Sequence, residues 1–184
     1  VLKNSGFRND GSRLYGDQID KLLSNDTAAI DYLFKNTIDR IMQGNRRFEY
    51  FGEIKKSAIL ELEQLLQFCY DNNISVVGFL PPFAKKINEL MLGSGNYSAL
   101  DSISPKIQPL FDKYGYEFYD FTDPTPYHSN DKEFLDGFHG GELTYLKLLI
   151  RMLEGNSSLN NITDIDKLKR DVIKSINRYS VYTY

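Results

Sequence analysis

The sequence predicts an α/β fold of three layers built around a mainly parallel sheet. Helical periods alternate with short apolar runs along the chain. The first run, Ile74-Ser75-Val76-Val77-Gly78-Phe79-Leu80, is β-branched and does not alternate strictly, as a strand covered on both faces requires. The order of elements is helix, strand, helix, helix, strand, helix, the pattern of parallel strands joined by crossovers. With 184 residues the chain fits one domain with a sizeable core. That domain is expected over residues 1–154, with a linker and an amphipathic helix over 155–184. The chain opens at Val1 without the leading strands of such a sheet, so it reads as the C-terminal part of the domain, incomplete at its N-terminus.

Residues 1–17 carry turn chemistry without periodicity, and Asp10-Gly11 is a hairpin-turn pair. Two readings of this segment stand side by side, a surface loop and a substrate-side loop offering Arg8, Arg13 and Tyr15. Ser24-Asn25-Asp26-Thr27 resembles a helix start, and Ile30, Leu33, Phe34, Thr37, Ile38 and Ile41 then follow a helical period to about Gly44. From Gly52 to Asn72 runs the strongest helix, with Ile59, Leu62, Leu66, Cys69 and Tyr70 on one stripe. Pro81-Pro82 stops the first strand, and a helix follows over 83–92. Another is expected over 100–114, with Pro105 tolerated in its first turn. Tyr116 to Phe121 alternates as a second strand, and a long polar loop over 122–132 contains His128. The last core helix is expected to end near Glu154. After Gly155-Asn156-Ser157-Ser158, a tail helix over 162–179 sets Ile165, Leu168, Val172, Ile173 and Ile176 on an apolar face.

Composition narrows the function. A formal net charge of -3 leaves no basic excess to neutralise phosphates, which argues against a nucleic-acid partner. The single cysteine, Cys69, excludes an internal disulfide framework and sits in an apolar helical run, where a buried inert thiol is expected. Gly93-Ser94-Gly95-Asn96 follows a helix and lacks a Gly-Lys-Ser/Thr ending, so it is no nucleotide loop. No cofactor is expected. Compartment is not set by these residues; an extracytoplasmic or membrane-associated location would need a segment upstream of Val1.

The chemistry concentrates in Leu135-Asp136-Gly137-Phe138-His139-Gly140-Gly141-Glu142, where a loop becomes a helix. A carboxylate three residues before a histidine can accept from one ring nitrogen and leave the other as a base. Three readings compete: an Asp136–His139 dyad serving a serine, a metal site from His128, Asp131, Asp136 and His139, and a structural histidine at a helix start. The metal reading matches no standard ligand spacing. The acid spacing, the strand-then-loop context and the glycines favour the dyad.

Asp136-Gly137-Phe138-His139, placed just before the last core helix of an α/β domain, resembles the final Asp-x-x-His block of the SGNH (GDSL-type) hydrolases. The strand from Ile74, the strand over 117–121 and the loop carrying Asp123 and His128 also resemble the second half of that fold, a resemblance covering about residues 53–154. Arg8-Asn9-Asp10-Gly11-Ser12 with Tyr15-Gly16 is similar to SGNH-like proteins that add or remove acyl groups on bacterial surface polysaccharides. The resemblance implies a serine esterase or O-acyltransferase in which Asp136 orients His139 and His139 activates a serine. Neither a Gly-Asp-Ser strand end nor a Gly-x-Asn-Asp block is present. Ser12 is the local candidate nucleophile, and a nucleophile upstream of Val1 is the stronger expectation, which would leave this chain alone inactive. His128 joins Arg8, Arg13 and Tyr15 as a candidate substrate contact. The alternative function is a non-catalytic assembly module, and a homo-oligomer through the tail helix or an open sheet edge fits either.

Overall fold

A computed structural model describes residues 5–9 and 11–182. The described residues begin with a short antiparallel hairpin of β1 (Gly6–Phe7) and β2 (Arg13–Leu14). Gly11 in its turn has φ of 84°, a conformation glycine adopts without steric cost; Asp10, expected beside it, lies outside the described residues. Helix α1 (Asp17–Leu23) follows, where the sequence reading places no helix. The helix expected from Ile30 starts five residues later, as α2 (Lys35–Gln43). The delay has a local cause. Asp31, Leu33 and Phe34 all have positive φ, and the Asp31 carboxylate accepts from Asn36 N at 2.6 Å and Thr37 Oγ1 at 2.5 Å. Asp31 thus caps the first turn of α2 from outside it. Gly44 closes α2 in the left-handed region, as expected.

Helix α3 (Lys56–Asp71) leads into β3 (Val77–Leu80), then α4 (Lys85–Ser94), α5 (Ile103–Lys113) and β4 (Glu117–Asp120). β3 and β4 pair in parallel, with Val77 opposite Glu117 and Leu80 opposite Asp120. The register brings both C-terminal strand ends to one edge, where Phe121 N donates to Leu80 O and Phe83 N to Thr122 O. Helix α5 presses Phe111 onto one face so closely that a Cβ on Gly78 would lie 2.4 Å from its ring. On the other face Val77 and Tyr119 pack with Phe121, Leu148 and Met152, the last two from α6 (Glu142–Glu154). Helix α7 (Ile165–Lys174) lies on α6 through Ile165, Leu168 and Val172, while Ile173 and Ile176 remain 83% and 85% exposed.

The architecture is therefore mixed α/β, with helix predominant and a parallel sheet of two strands among the described residues. The expectation that the first strand is covered on both faces needs correction. Ile74 and Phe79 are 46% and 42% exposed, and no described strand pairs with β3 on its outer edge. Leu60, Leu65 and Phe68 of α3 are also exposed.

A carboxylate ties the sheet to the turn after α6. Glu117 accepts from Ser158 N at 2.7 Å and from the Tyr119 hydroxyl at 2.8 Å. Burial opposes its charge, but these bonds and one from the Ser157 side chain outweigh it and lower the Glu117 pKa from 4.5 to about 2. A depressed carboxylate contributes stability above its unfolded pKa and loses it as pH falls through the folded one. The melting temperature of the wild type should drop between pH 4.5 and about 2. Glu117→Gln should be less stable at neutral pH and flatter across that window; an unchanged acid limb would contradict the assignment.

Candidate active site

Residues 134–140 fold back on themselves at the mouth of the sheet. Leu135 N donates to His139 O at 2.9 Å, Gly141 N donates to Glu133 O at 2.7 Å, and Phe134 faces Gly140 across an antiparallel bridge. The tip is clamped from several sides. Ala84 N, at the start of α4, donates to Gly137 O at 3.0 Å. A Cβ on Gly137 would lie 2.6 Å from Ile87 and 2.7 Å from Thr37, so glycine is required here by close approach and not by φ. Phe138 packs edge-on against Phe48 at 5.5 Å, and the Arg40 guanidinium lies over both rings at 5.2 Å and 4.8 Å.

Within this clamp the acid and histidine meet as the spacing predicts. Asp136 Oδ1 accepts from Phe138 N at 3.0 Å and His139 N at 2.8 Å, a local turn held by one carboxylate oxygen. Its other oxygen, Oδ2, lies 2.8 Å from His139 Nδ1. An ionised carboxylate can only accept, so Nδ1 carries the hydrogen and Nε2 is left as the basic lone pair. Burial differs sharply across the pair: the Asp136 side chain is 12% exposed and the His139 side chain 51%. The acid is thus fixed in the loop while the base reaches solvent.

Beside the dyad lies a cavity of about 440 Å³, lined by Ser12, Arg13, Tyr15, Gly140, Tyr145 and Tyr179 among others. Burial raises the Tyr15 pKa; Arg13 opposes the rise, and the Asp136 charge adds to it. Tyr145 is raised by burial, then by Tyr15 and Asp136. Both phenols remain protonated donors at neutral pH and sit within electrostatic reach of the acid. The Arg13 guanidinium lies 5.1 Å over the Tyr15 ring.

The remaining sequence candidates fall in different places. Ser12 Oγ accepts from Arg8 Nη1 at 3.2 Å and lines the cavity. Arg8 itself is 11% exposed and forms an ion pair with Glu142, with a further bond to Ser180 Oγ at 2.5 Å. Its charge ties the first residues to the last, so the structure gives it a bracing position in place of an open substrate contact. His128 is exposed at the end of a short turn, and its carbonyl accepts from Lys147 Nζ at 2.7 Å. It does not line the cavity beside the dyad. Among the described residues no cluster of histidine, cysteine and acidic side chains is arranged to hold a metal ion.

Two residues of this region, Tyr145 and Glu142, escape sequence reasoning. Tyr145 sits in the apolar period of α6 and reads as core. Glu142 receives Val181 N at 2.6 Å and Tyr182 N at 3.0 Å as well as Arg8, and Tyr179 O accepts from Glu142 N. The chain after α7 therefore returns across the N-terminus of α6. Gly141 permits the crossing, since a Cβ there would lie 2.5 Å from Arg178 O. No helix of the described residues is long and apolar enough to cross a membrane. No family model, curated protein or solved structure matches the chain.

Proposed function

We propose that the protein is an SGNH-like serine esterase or O-acyltransferase, acting on an acyl ester of a carbohydrate, in which Asp136 and His139 form the acid–base half of the triad. The observation that carries the reading is the 2.8 Å contact between Asp136 Oδ2 and His139 Nδ1, made by an acid whose other oxygen is already fixed by two backbone N–H groups. That arrangement holds one tautomer and turns Nε2 outward, as a base for an incoming serine requires.

The parallel β3–β4 pair with α5 and α6 on opposite faces fits the second half of a three-layer SGNH sheet, and the open edge of β3 is where its remaining strands would pair. His139 Nε2 removes the serine proton as the hydroxyl attacks the acyl carbonyl, and then returns it to the departing sugar oxygen. Water or a second hydroxyl completes hydrolysis or transfer. Tyr15 and Tyr145 offer hydroxyl donors at the rim, and Ser12 is the nucleophile candidate whose placement in the same cavity favours it. The test is release of acetate from acetylated xylan and from 4-nitrophenyl acetate by the protein at its natural length, with Ser12→Ala as comparison. Turnover lost in Ser12→Ala places the nucleophile there; turnover retained places it on another segment. No turnover on any acyl ester would remove the reading.

A second reading has its own support. Ile162, Ile173 and Ile176 are more than four-fifths exposed, Leu60, Leu65 and Phe68 of α3 are exposed, and the outer edge of β3 is unpaired among the described residues. Such surfaces suit an assembly module or a homo-oligomer. Light scattering on the wild type and on Ile173→Lys/Ile176→Lys tests it: a shift from oligomer to monomer supports the tail as an assembly face, and a monomeric wild type rejects it.

A further inference from the structure

A second cavity, of about 420 Å³, lies on the far side of Leu135 and Tyr179, which line both it and the cavity beside the dyad. Its size falls in the range of small-ligand pockets, about 300–1,000 Å³. Four cations line it: Lys21 from α1, Lys86 from α4, Lys132 from the turn after Asn130, and Arg178 from the returning tail. None of the four forms an ion pair with a described residue. Arg178 Nε is buried and has no hydrogen-bond partner, and a buried unpaired donor of this kind is costly.

Three carboxylates share the lining, and each already serves the backbone. Asp31 caps α2, Asp26 accepts from Ala28 N at 2.8 Å, and Asp131 accepts from Lys86 N at 3.4 Å. They hold the walls in place, while the three ammonium groups pair with no described carboxylate and the Arg178 guanidinium lies 5.2 Å over the Tyr179 ring. Leu33, also in the lining, is held at φ of 53° and is 65% exposed, and it follows Tyr32 in sequence. A bulky side chain kept at positive φ and half in water costs stability twice over. A ring lying against it would remove the second cost.

We propose that this cavity binds an anionic sugar, a hexose-sized ring bearing a carboxylate or a phosphate, with the charge met by Lys21, Lys86, Lys132 and Arg178 and the ring lying against Tyr32 and Leu33. The site is separate from ester chemistry: it uses neither Asp136 nor His139. It would nevertheless place an acidic saccharide within one shared wall of the dyad cavity.

The test is a titration of the full chain with glucuronate, glucose 1-phosphate and neutral glucose, followed by backbone amide shifts. At least one anion should give saturable shifts at Lys86, Lys132 and Tyr179, weaker at higher salt, and glucose should not. Response to glucuronate alone identifies a carboxylate sugar, and response to glucose 1-phosphate alone a phosphorylated one. Lys86→Ala/Lys132→Ala should weaken binding at least tenfold; Lys21→Ala, a single change on a different helix, should weaken it severalfold if the double variant does not fold. His139→Ala should bind as the wild type does. Absence of saturable shifts with both anions, equal shifts with glucose, or undiminished binding in the lysine variants would overturn the proposal. Because binding is read without turnover, such a failure leaves the esterase reading untouched, and loss of ester turnover leaves this one untouched.

Discussion

His139→Ala should lower ester turnover by about 10²–10⁴-fold, the range contributed by a positioned general base, while the melting temperature stays close to that of the wild type. The imidazole is half exposed, and its side-chain contacts are Asp136 and the Phe138 ring, whose centroid lies 4.2 Å away, so only a small apolar contact is lost with it. Asp136 separates the two kinds of contribution. Asp136→Asn can still accept from Phe138 N and His139 N, but its amide nitrogen presents hydrogens where Oδ2 accepted from the ring. The imidazole then loses its enforced tautomer, and turnover should fall nearly as far as in His139→Ala with a small change in stability. Asp136→Ala also strands two N–H groups in the loop, each worth about 0.5–1.5 kcal/mol net, and should lose both activity and melting temperature. Rates and unfolding curves for the three variants provide the check. Equal stability loss in all three, or near-wild-type turnover in Asp136→Asn, would show a structural histidine.

The largest stability effect is expected one turn deeper. Glu133 is 4% exposed, and its carboxylate accepts from Ser129 Oγ at 2.9 Å, Asn130 Nδ2 at 3.0 Å and Lys147 Nζ at 2.6 Å. Thr144 Oγ1 lies 3.4 Å away, bonded to Ser129. Lys147→Met removes the only cation of the network and leaves a buried carboxylate unpaired, a change that costs about 3–5 kcal/mol. At about 2–4 °C per kcal/mol for a chain of this size, the melting temperature should fall by roughly 10 °C. Glu133→Gln/Lys147→Met removes both charges and should recover most of the loss. The network also supports the site, because Glu133 O accepts from Gly141 N beneath the dyad loop. A fall of less than 2 °C in Lys147→Met would mean that water reaches the carboxylate.

The dyad was legible because it is local. An acid three residues before a histidine closes on it through a turn that needs no distant partner. The helices α3, α5 and α6 and the two strands were legible for the same reason, since each follows a period set by its own sequence, although α3 buries only Leu66 of the expected stripe and leaves Tyr70 56% exposed. What failed depends on distant contacts. Arg8 looks like a free cation in a polar loop, but its partners Glu142 and Ser180 lie more than a hundred residues away. Asp31 to Phe34 continues the helical period of α2 yet takes left-handed backbone, because the Asp31 side chain competes for the first-turn N–H groups. The tail helix reads as a separate linker-borne element, but its continuation through Tyr179 covers the start of α6. Close backbone approach was legible at the paired glycines before α6 but not at Gly137, and the neighbours, Ile87, Thr37 and Arg178, come from three other parts of the chain.

The most direct measurement is intact mass after exposure to a serine-reactive fluorophosphonate, with the protein at its natural length and with its His139→Ala variant. The expected result is one phosphonyl adduct on the wild type, with labelling slowed at least a hundredfold in His139→Ala because the serine then lacks its base. No adduct on the wild type, or an adduct formed equally fast without His139, would contradict a serine enzyme built on Asp136 and His139.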